Sequence, residues 1–400
     1  MFLGAVQLLN PLYAVRLGYG PAEIGALSAA GAIAYSIGSP AGGALASRYG
    51  VRRVMLWGIA IAALGMALPP LAVLLPAATR LPFLIGGQLV ANGGWAFKQV
   101  SLVAALAGAT SPEARTGAYA VHEAASGAAA LAGALLGGAL PAAVALLLHS
   151  STAAAVPYAL TLAAGALIST LALLPAARVA PEDVDPGSGR AAGSLAGPAR
   201  SRRRPALDLA LLLVLVCGVG TTAGQGAAKA FASVYLDTAH GVPTAQIGSF
   251  VSVGLGASVL AAIASGRIAR RLSNGLMMLV GSAIIAGGLL LMALSPGVGG
   301  AVVGIVLVYG ILGLWRPAYQ AAQMEIAGAG SRAAISGISA MAMSIGFGSM
   351  TYGGGAIAAR AGYPAVFLAG AGVSLVAAVL GGALSWRMAR RAAPADEGTA

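Results

Sequence analysis

Long apolar runs recur along this chain between short polar breaks, and they leave few folds open to it. Crossing a hydrocarbon layer of about 30 Å takes roughly 20 helical residues. Twelve such runs stand at approximately 1–17, 21–46, 52–76, 81–108, 115–147, 152–177, 207–236, 243–270, 275–295, 299–326, 332–359 and 363–387. In lipid no water satisfies backbone N–H and C=O groups, so runs of this length are read as helices that satisfy their own. The expected fold class is an all-α polytopic membrane protein with twelve transmembrane helices. Composition agrees, since 58% of the 400 residues are apolar and only 8% are charged, against about 25% charged in a soluble domain. The 59 glycines and 20 prolines would disfavour helix in water but let membrane helices approach closely and bend. A single cysteine, Cys217, excludes an intramolecular disulfide and a multi-cysteine metal site. No metal or cofactor is expected.

The formal net charge of +12 would suggest nucleic acid in a soluble protein, but here its placement decides. With the N-terminus in the cytoplasm, 17 arginines fall on the inner side, among them Arg48, Arg52, Arg115, Arg202, Arg271, Arg332 and Arg390, while only Arg16, Arg80 and Arg360 fall outside. That bias is the one expected when positive loops stay cytoplasmic. It places both termini on the cytoplasmic side of a cytoplasmic membrane, with the lipid bilayer as partner and no nucleic acid.

The chain divides at one long polar stretch. Residues 178–206, rich in Pro, Gly, Ser and Arg, read as a flexible cytoplasmic linker between a six-helix unit at 1–177 and another at 207–390, followed by a tail at 391–400. The two units repeat each other. Ile24 and Gly25 answer to Ile247 and Gly248 at a shift of 223, which also carries Gly43 onto Gly266 and Arg48 onto Arg271; Arg115, Gly137 and Gly138 answer to Arg332, Gly354 and Gly355 at a shift of 217. Matching Tyr13 to Tyr235 leaves the first span about 20 residues shorter than the seventh, so either the natural start lies upstream or the first helix is short. No basic region precedes the first run, and no cleavable signal peptide is expected.

The loop after the second span reads GGALASRYGVRRVML. With the duplicated six-helix plan, it resembles the major facilitator superfamily, whose signature there runs Gly-x-Leu-Ala-Asp-Arg-x-Gly-Arg-Arg. Gly43, Leu45, Ala46, Arg48, Gly50 and Arg52 match it, and a degenerate copy, GRIARRLSNG, stands in the second half. The resemblance covers essentially the whole chain. It implies two pseudo-symmetric bundles that expose a central site alternately to either side, with Gly43, Ser47, Arg48, Gly50 and Arg52 as the conformational motif. Ser47 replaces an aspartate that in the family helps hold the halves together, which puts that charge relay in doubt. The fifth span carries Gly133, Ala134, Leu135, Leu136, Gly137 and Gly138 where proton-coupled exporters have Gly-Pro-x-x-Gly-Gly. The missing proline weakens that reading, and close helix packing accounts for these glycines.

Polar groups inside the spans carry the functional reading, because an ionised side chain at mid-span costs roughly 3 kcal/mol even on the lenient insertion scale. The two lysines of the chain, Lys98 and Lys229, both fall in apolar runs. Lys98 flanks a helical face that carries Gln88, Asn92, Trp95 and Gln99. Arg316 is its counterpart, with Tyr319, Gln320 and Gln323 on its side and Pro317 expected to bend the helix there. Thr222, Gln225 and Lys229 form a stripe, although Lys229 could simply reach the outer interface. Glu123 lies deep in the fifth span beside His122 and reads either as a proton carrier with that histidine or as a fixed counter-ion of Lys98.

These residues predict a secondary transporter, not an enzyme, for a small organic anion. It would be monomeric and possess a central site lined by Lys98, Arg316, Gln99, Asn92, Trp95, Tyr319, Gln323, Lys229 and Gln225, with proton coupling at Glu123 and His122. Two other readings stay open. One is an exporter of hydrophobic or cationic compounds, in which the cations form ion pairs; the other is a scaffold or sensor that keeps the fold without transport.

Overall fold

The structure, a computed structural model, describes residues 2–108, 112–178, 209–269, 271–326 and 332–392. Among them are fourteen α-helices and no strand. The first half contains α1 (Phe2–Arg16), α2 (Pro21–Tyr49), α3 (Val51–Leu71), α4 (Ala77–Gly108), α5 (Pro112–Leu147), α6 (Ala155–Thr170) and the short α7 (Leu173–Ala177). The second contains α8 (Leu209–His240), α9 (Thr244–Ile268), α10 (Asn274–Leu294), α11 (Val298–Gly310), α12 (Leu312–Ile326), α13 (Arg332–Ala361) and α14 (Tyr363–Ala392). The linker and the C-terminal tail expected from the sequence lie outside the described residues, apart from Arg178 and the last turn of α14.

Nine segments among the described residues are long and apolar enough to cross a membrane. The three expected spans that fall short have physical reasons. Helix α1 has only 15 residues; α4 bears Gln88, Asn92, Lys98 and Gln99 along one side; α13 is rich in Ser and Gly. A helix that turns a face toward other protein or a wet cavity need not be apolar all round. The tenth span is interrupted at Ile311, between α11 and α12, rather than at Pro317, which sits inside α12. A proline ring presses on the carbonyl four residues back, here that of Gly313, so the disturbance falls toward the break and not at the proline itself.

Each half packs around its own contacts. Helix α4 lies between α2 and α3, and α1 rests on α5 and α6; in the second half α8 lies against α13 and α14, while α12 packs on α9 and α10. Two pairs join the halves most extensively, α2 with α13 and α5 with α9. Both crossings rest on glycine. A Cβ on Gly25 would stand 3.0 Å from the Gly355 Cα and would collide with the Thr351 carbonyl. On the other side of the pseudo-twofold, a Cβ on Gly248 would stand 2.8 Å from the Gly138 Cα and 2.7 Å from the Ala134 carbonyl. Under the shifts of 223 and 217 these are the same contacts, so the repeat glycines are where the two halves touch.

The end of the bundle that holds Arg16 is latched. Arg16 closes α1 and donates from Nη1 to Asp237 Oδ2 at 2.7 Å and from Nη2 to Oδ1 and to the Tyr158 hydroxyl. Tyr158 in turn shares a 2.6 Å hydrogen bond with Thr244 at the start of α9. Four helix ends from both halves therefore meet at one polar cluster, and Arg16 with Asp237 is the one ion pair among the described residues. The contacts across the seam reach down to Ala32 with Gly348 and to Gly127 with Val259.

Candidate functional site

In the first half, α4 presents its polar stripe between α1 and α2. Asn92 faces Gly31 of α2, where a Cβ would meet its amide at 2.8 Å, and it donates to the Gln88 carbonyl at 2.9 Å and to Gln88 Oε1 at 3.2 Å. Trp95 follows one turn later, and the Lys98 ammonium sits 3.6 Å from its ring centroid. The backbone of Lys98 is pressed against Gly58 of α3, which lets the two helices approach and fixes where the lysine leaves the helix. No acid among the described residues pairs with it. The cation is instead held on an aromatic face, an interaction of about 0.5 to 2 kcal/mol depending on how dry it is.

A cleft opens beside this stripe. It is small, about 40 Å³, and lies between α1, α3, α4 and α6, with Asn10, Gln88, Asn92 and Trp95 as its polar wall. A second recess of about 10 Å³, room for a single small polar group, adjoins it, shares Asn10, Pro69 and Gln88, and is lined by Tyr13. Neither is lined by a charged residue. The signal that could have marked Asn10 and Tyr13 is their spacing of three along α1, which Gln7 extends.

The second half supplies two cations to one region. Trp315 and Tyr319 of α12 stack at 4.8 Å and are buried against α10 and α8, where Gly281 meets the indole and Gly218 the phenol. Gly313 packs on Ser258 of α9. These contacts occupy three sides of α12, and Arg316 leaves by the arc between the Tyr319 and Gly313 sides, where it is exposed together with Gln320. Across from it, Lys229 of α8 is half-buried, lies within coulombic range of Arg316 and stands 5.8 Å from the Tyr309 ring centroid of α11. Lys229 thus has its neighbours, Tyr309 and Arg316, within the second half. One turn away on the same face of α8, Gln225 is 7% exposed with its Nε2 unpartnered, and Thr222 ties α8 to α13 by a 2.9 Å bond to the Met343 carbonyl.

The remaining sequence-derived residues are spread more widely. Gln99 is half-buried on α4 and Gln323 is buried beside Tyr319; Tyr319, at 1% exposure, belongs to the core of the second half rather than to an open wall. His122 is half-buried on α5, and the side chain of Glu123 lies outside the described residues. Helix α5 packs mainly on α1 and α9 and barely touches α4, so the two helices that would carry a Glu123–Lys98 pair are not packed neighbours. In the motif loop, Gly50 takes φ 89° between α2 and α3, a conformation that favours glycine. Ser47 bonds back to the Ala44 carbonyl, Arg48 stacks on Tyr49, Gly43 packs loosely on Val100, and Arg52 reaches the Ala177 carbonyl at the end of α7. All these partners belong to the first half.

A helical membrane bundle in two repeated halves, with polar groups along inner helices, is the architecture of a transporter of small molecules. The chain belongs to the Major Facilitator Superfamily, whose family model matches residues 1–349. A comparison with curated proteins finds no match. Among solved structures it is similar to a POT family transporter in complex with a thioalcohol-conjugated peptide, at TM-score 0.71 and 13% identity over 97% of this chain and 95% of that one. It is similar also to the nucleoside transporter NupG, at 0.69 and 16% over 96% of each chain, and to a D-xylose-proton symporter, at 0.69 and 15% over 95% and 97%.

Proposed function

We propose that this transporter carries a small organic anion across a cytoplasmic membrane by alternating access, with the Arg48 end and both termini on the cytoplasmic side. The observation that carries the reading is the juxtaposition of Lys229 and Arg316 in the second half, with no acid beside them among the described residues. Two like charges inside a membrane bundle repel and are costly to desolvate, and an anion arriving between them relieves both costs. The unpartnered amide of Gln225 beside Lys229 adds a donor of the right kind. Cationic cargo would meet repulsion there, which disfavours the exporter alternative. The solved neighbours carry nucleosides, peptides and D-xylose, so the fold by itself selects no substrate, and the choice rests on the residues.

The latch at Arg16 supports a molecule closed at that end, and the arginine asymmetry of the loops supports the orientation. Proton coupling through His122 and Glu123 is the second part of the proposal. Counterflow in proteoliposomes with labelled succinate and glucose 6-phosphate, and with glucose as the uncharged control, tests it. Uptake of an anion is expected to fall at least tenfold in Arg316→Ala and Lys229→Ala. Equal uptake in wild type and both variants, or uptake of glucose alone, would remove the proposed site.

A further inference from the structure

The paired clefts of the first half contain the polar groups that the cation site does not use. Asn10, Gln88 and Asn92 are amides, each both donor and acceptor. Only part of that capacity is spent: Asn92 Nδ2 serves Gln88, while the Asn10 side chain makes no hydrogen bond to any described residue. Tyr13 supplies an independent signal. It is 1% exposed, lines the inner cleft, and its hydroxyl, though near the Val73 backbone, makes no hydrogen bond of proper geometry. A buried hydroxyl without a partner is expensive to keep, and a guest in the cleft would satisfy it.

The walls say what kind of guest. With no charged lining residue, an ion in this cleft would lose its hydration without a counter-charge. Mixed donors and acceptors fit a group that also presents both. The Trp95 indole and the Pro69 ring give flat apolar faces suited to a flat group, and the one nearby charge, Lys98, is taken up by the Trp95 ring.

We infer that this cleft is a specificity pocket for an uncharged, flat, hydrogen-bonding group such as an amide, held by Asn10, Tyr13, Gln88, Asn92 and Trp95. The inference rests on the transporter assignment and extends the anion reading, since it gives the solute an uncharged polar portion seated in the first half and an anionic portion at Lys229 and Arg316.

The test uses the purified full chain in lipid nanodiscs, titrated by calorimetry with nicotinamide, benzamide and uracil. At least one is expected to bind, with Tyr13→Phe or Asn10→Leu weakening it at least fivefold and Arg316→Gln changing it less than twofold. Tyr13→Phe removes only the hydroxyl, so it guards against a variant that merely misfolds. Absence of binding by all three amides, or unchanged affinity in both cleft variants, would overturn the inference. Amide binding without uptake of any anion would overturn the anion reading and leave the cleft assignment standing.

Discussion

Gly25 of α2 lies so close to Gly355 of α13 that a single added carbon on Gly25 would stand 3.0 Å from the opposing Cα. Its repeat equivalent, Gly248 against Gly138, is equally tight at 2.8 Å. Small residues let membrane helices pack backbone to backbone, which is where most of their association energy comes from. A methyl group there must push the helices apart, because the atoms it meets are backbone and cannot rotate away. Gly25→Ala and Gly248→Ala should each cost about 1 to 3 kcal/mol, and by similar amounts, as their positions are equivalent. Gly287 on α10 has nothing within 4 Å of such a carbon; Gly287→Ala should be neutral or stabilising by up to about 1 kcal/mol through helix propensity. Thermal unfolding of the three variants in detergent checks the order.

The Arg16–Asp237 latch should set which end of the bundle is open. Its partners are 16% and 9% exposed, shielded enough for a two-point charged hydrogen bond to contribute about 2 kcal/mol to the closed arrangement. Asp237→Asn removes the charge and one of the two contacts. At 1.4 kcal/mol per decade, loss of the whole latch would raise the population open at the Arg16 end roughly 30-fold, so this partial loss should raise it by about fivefold or more. Spin labels at the exposed positions Ser151 and Ala239, in a Cys217→Ser background, report the separation of the halves there; an unchanged distance distribution would show that the glycine crossings alone hold this end shut.

Thr244 gives the same latch a second, separable element. Thr244→Val keeps the shape of the side chain but leaves the Tyr158 hydroxyl with Arg16 as its only described partner. The cost should be about 1 kcal/mol, with the double variant Thr244→Val/Asp237→Asn departing from additivity because the Arg16–Tyr158 hydrogen bond links the two sites. Melting temperatures of the four proteins in the cycle measure that coupling.

The sequence made the spans, the repeat and the motif legible because each leaves a local or periodic trace. The glycines that join the halves were already visible as repeat partners, though nothing in the chain said that Gly25 would meet Gly355 and not its own half. Arg16 with Asp237 was missed for a related reason. The residues are 221 positions apart, and only the match of Tyr13 with Tyr235, which puts the two at similar depth on equivalent helices, hinted that they adjoin. The cations were found by their cost in lipid, but which way a side chain leaves its helix depends on the neighbours. Lys98 turns onto Trp95, whereas Lys229 lies 5.8 Å from the Tyr309 ring and within coulombic range of Arg316. Tyr319, read as a wall of the site, stacks on Trp315 because Gly281 and Gly218 make room for both rings.

That difference in surroundings predicts opposite signs for the three cations. Lys229 and Arg316 repel, so removing either charge should relieve the empty protein by on the order of 1 kcal/mol while abolishing anion uptake. Stabilisation with loss of function is the signature of residues kept for a ligand rather than for the fold. Lys98 is held on an indole face, and its loss should destabilise by about 1 kcal/mol. Lys229→Met and Arg316→Gln are therefore expected to melt at or above wild type and Lys98→Met below it. Because the first two share one repulsion, their combination should gain less than the sum of the singles, and a double variant that melts at the sum would mean that the two charges do not face a common space. If Lys229→Met melts well below wild type instead, the ammonium is a structural element seated on Tyr309, and the anion site would have to be sought elsewhere.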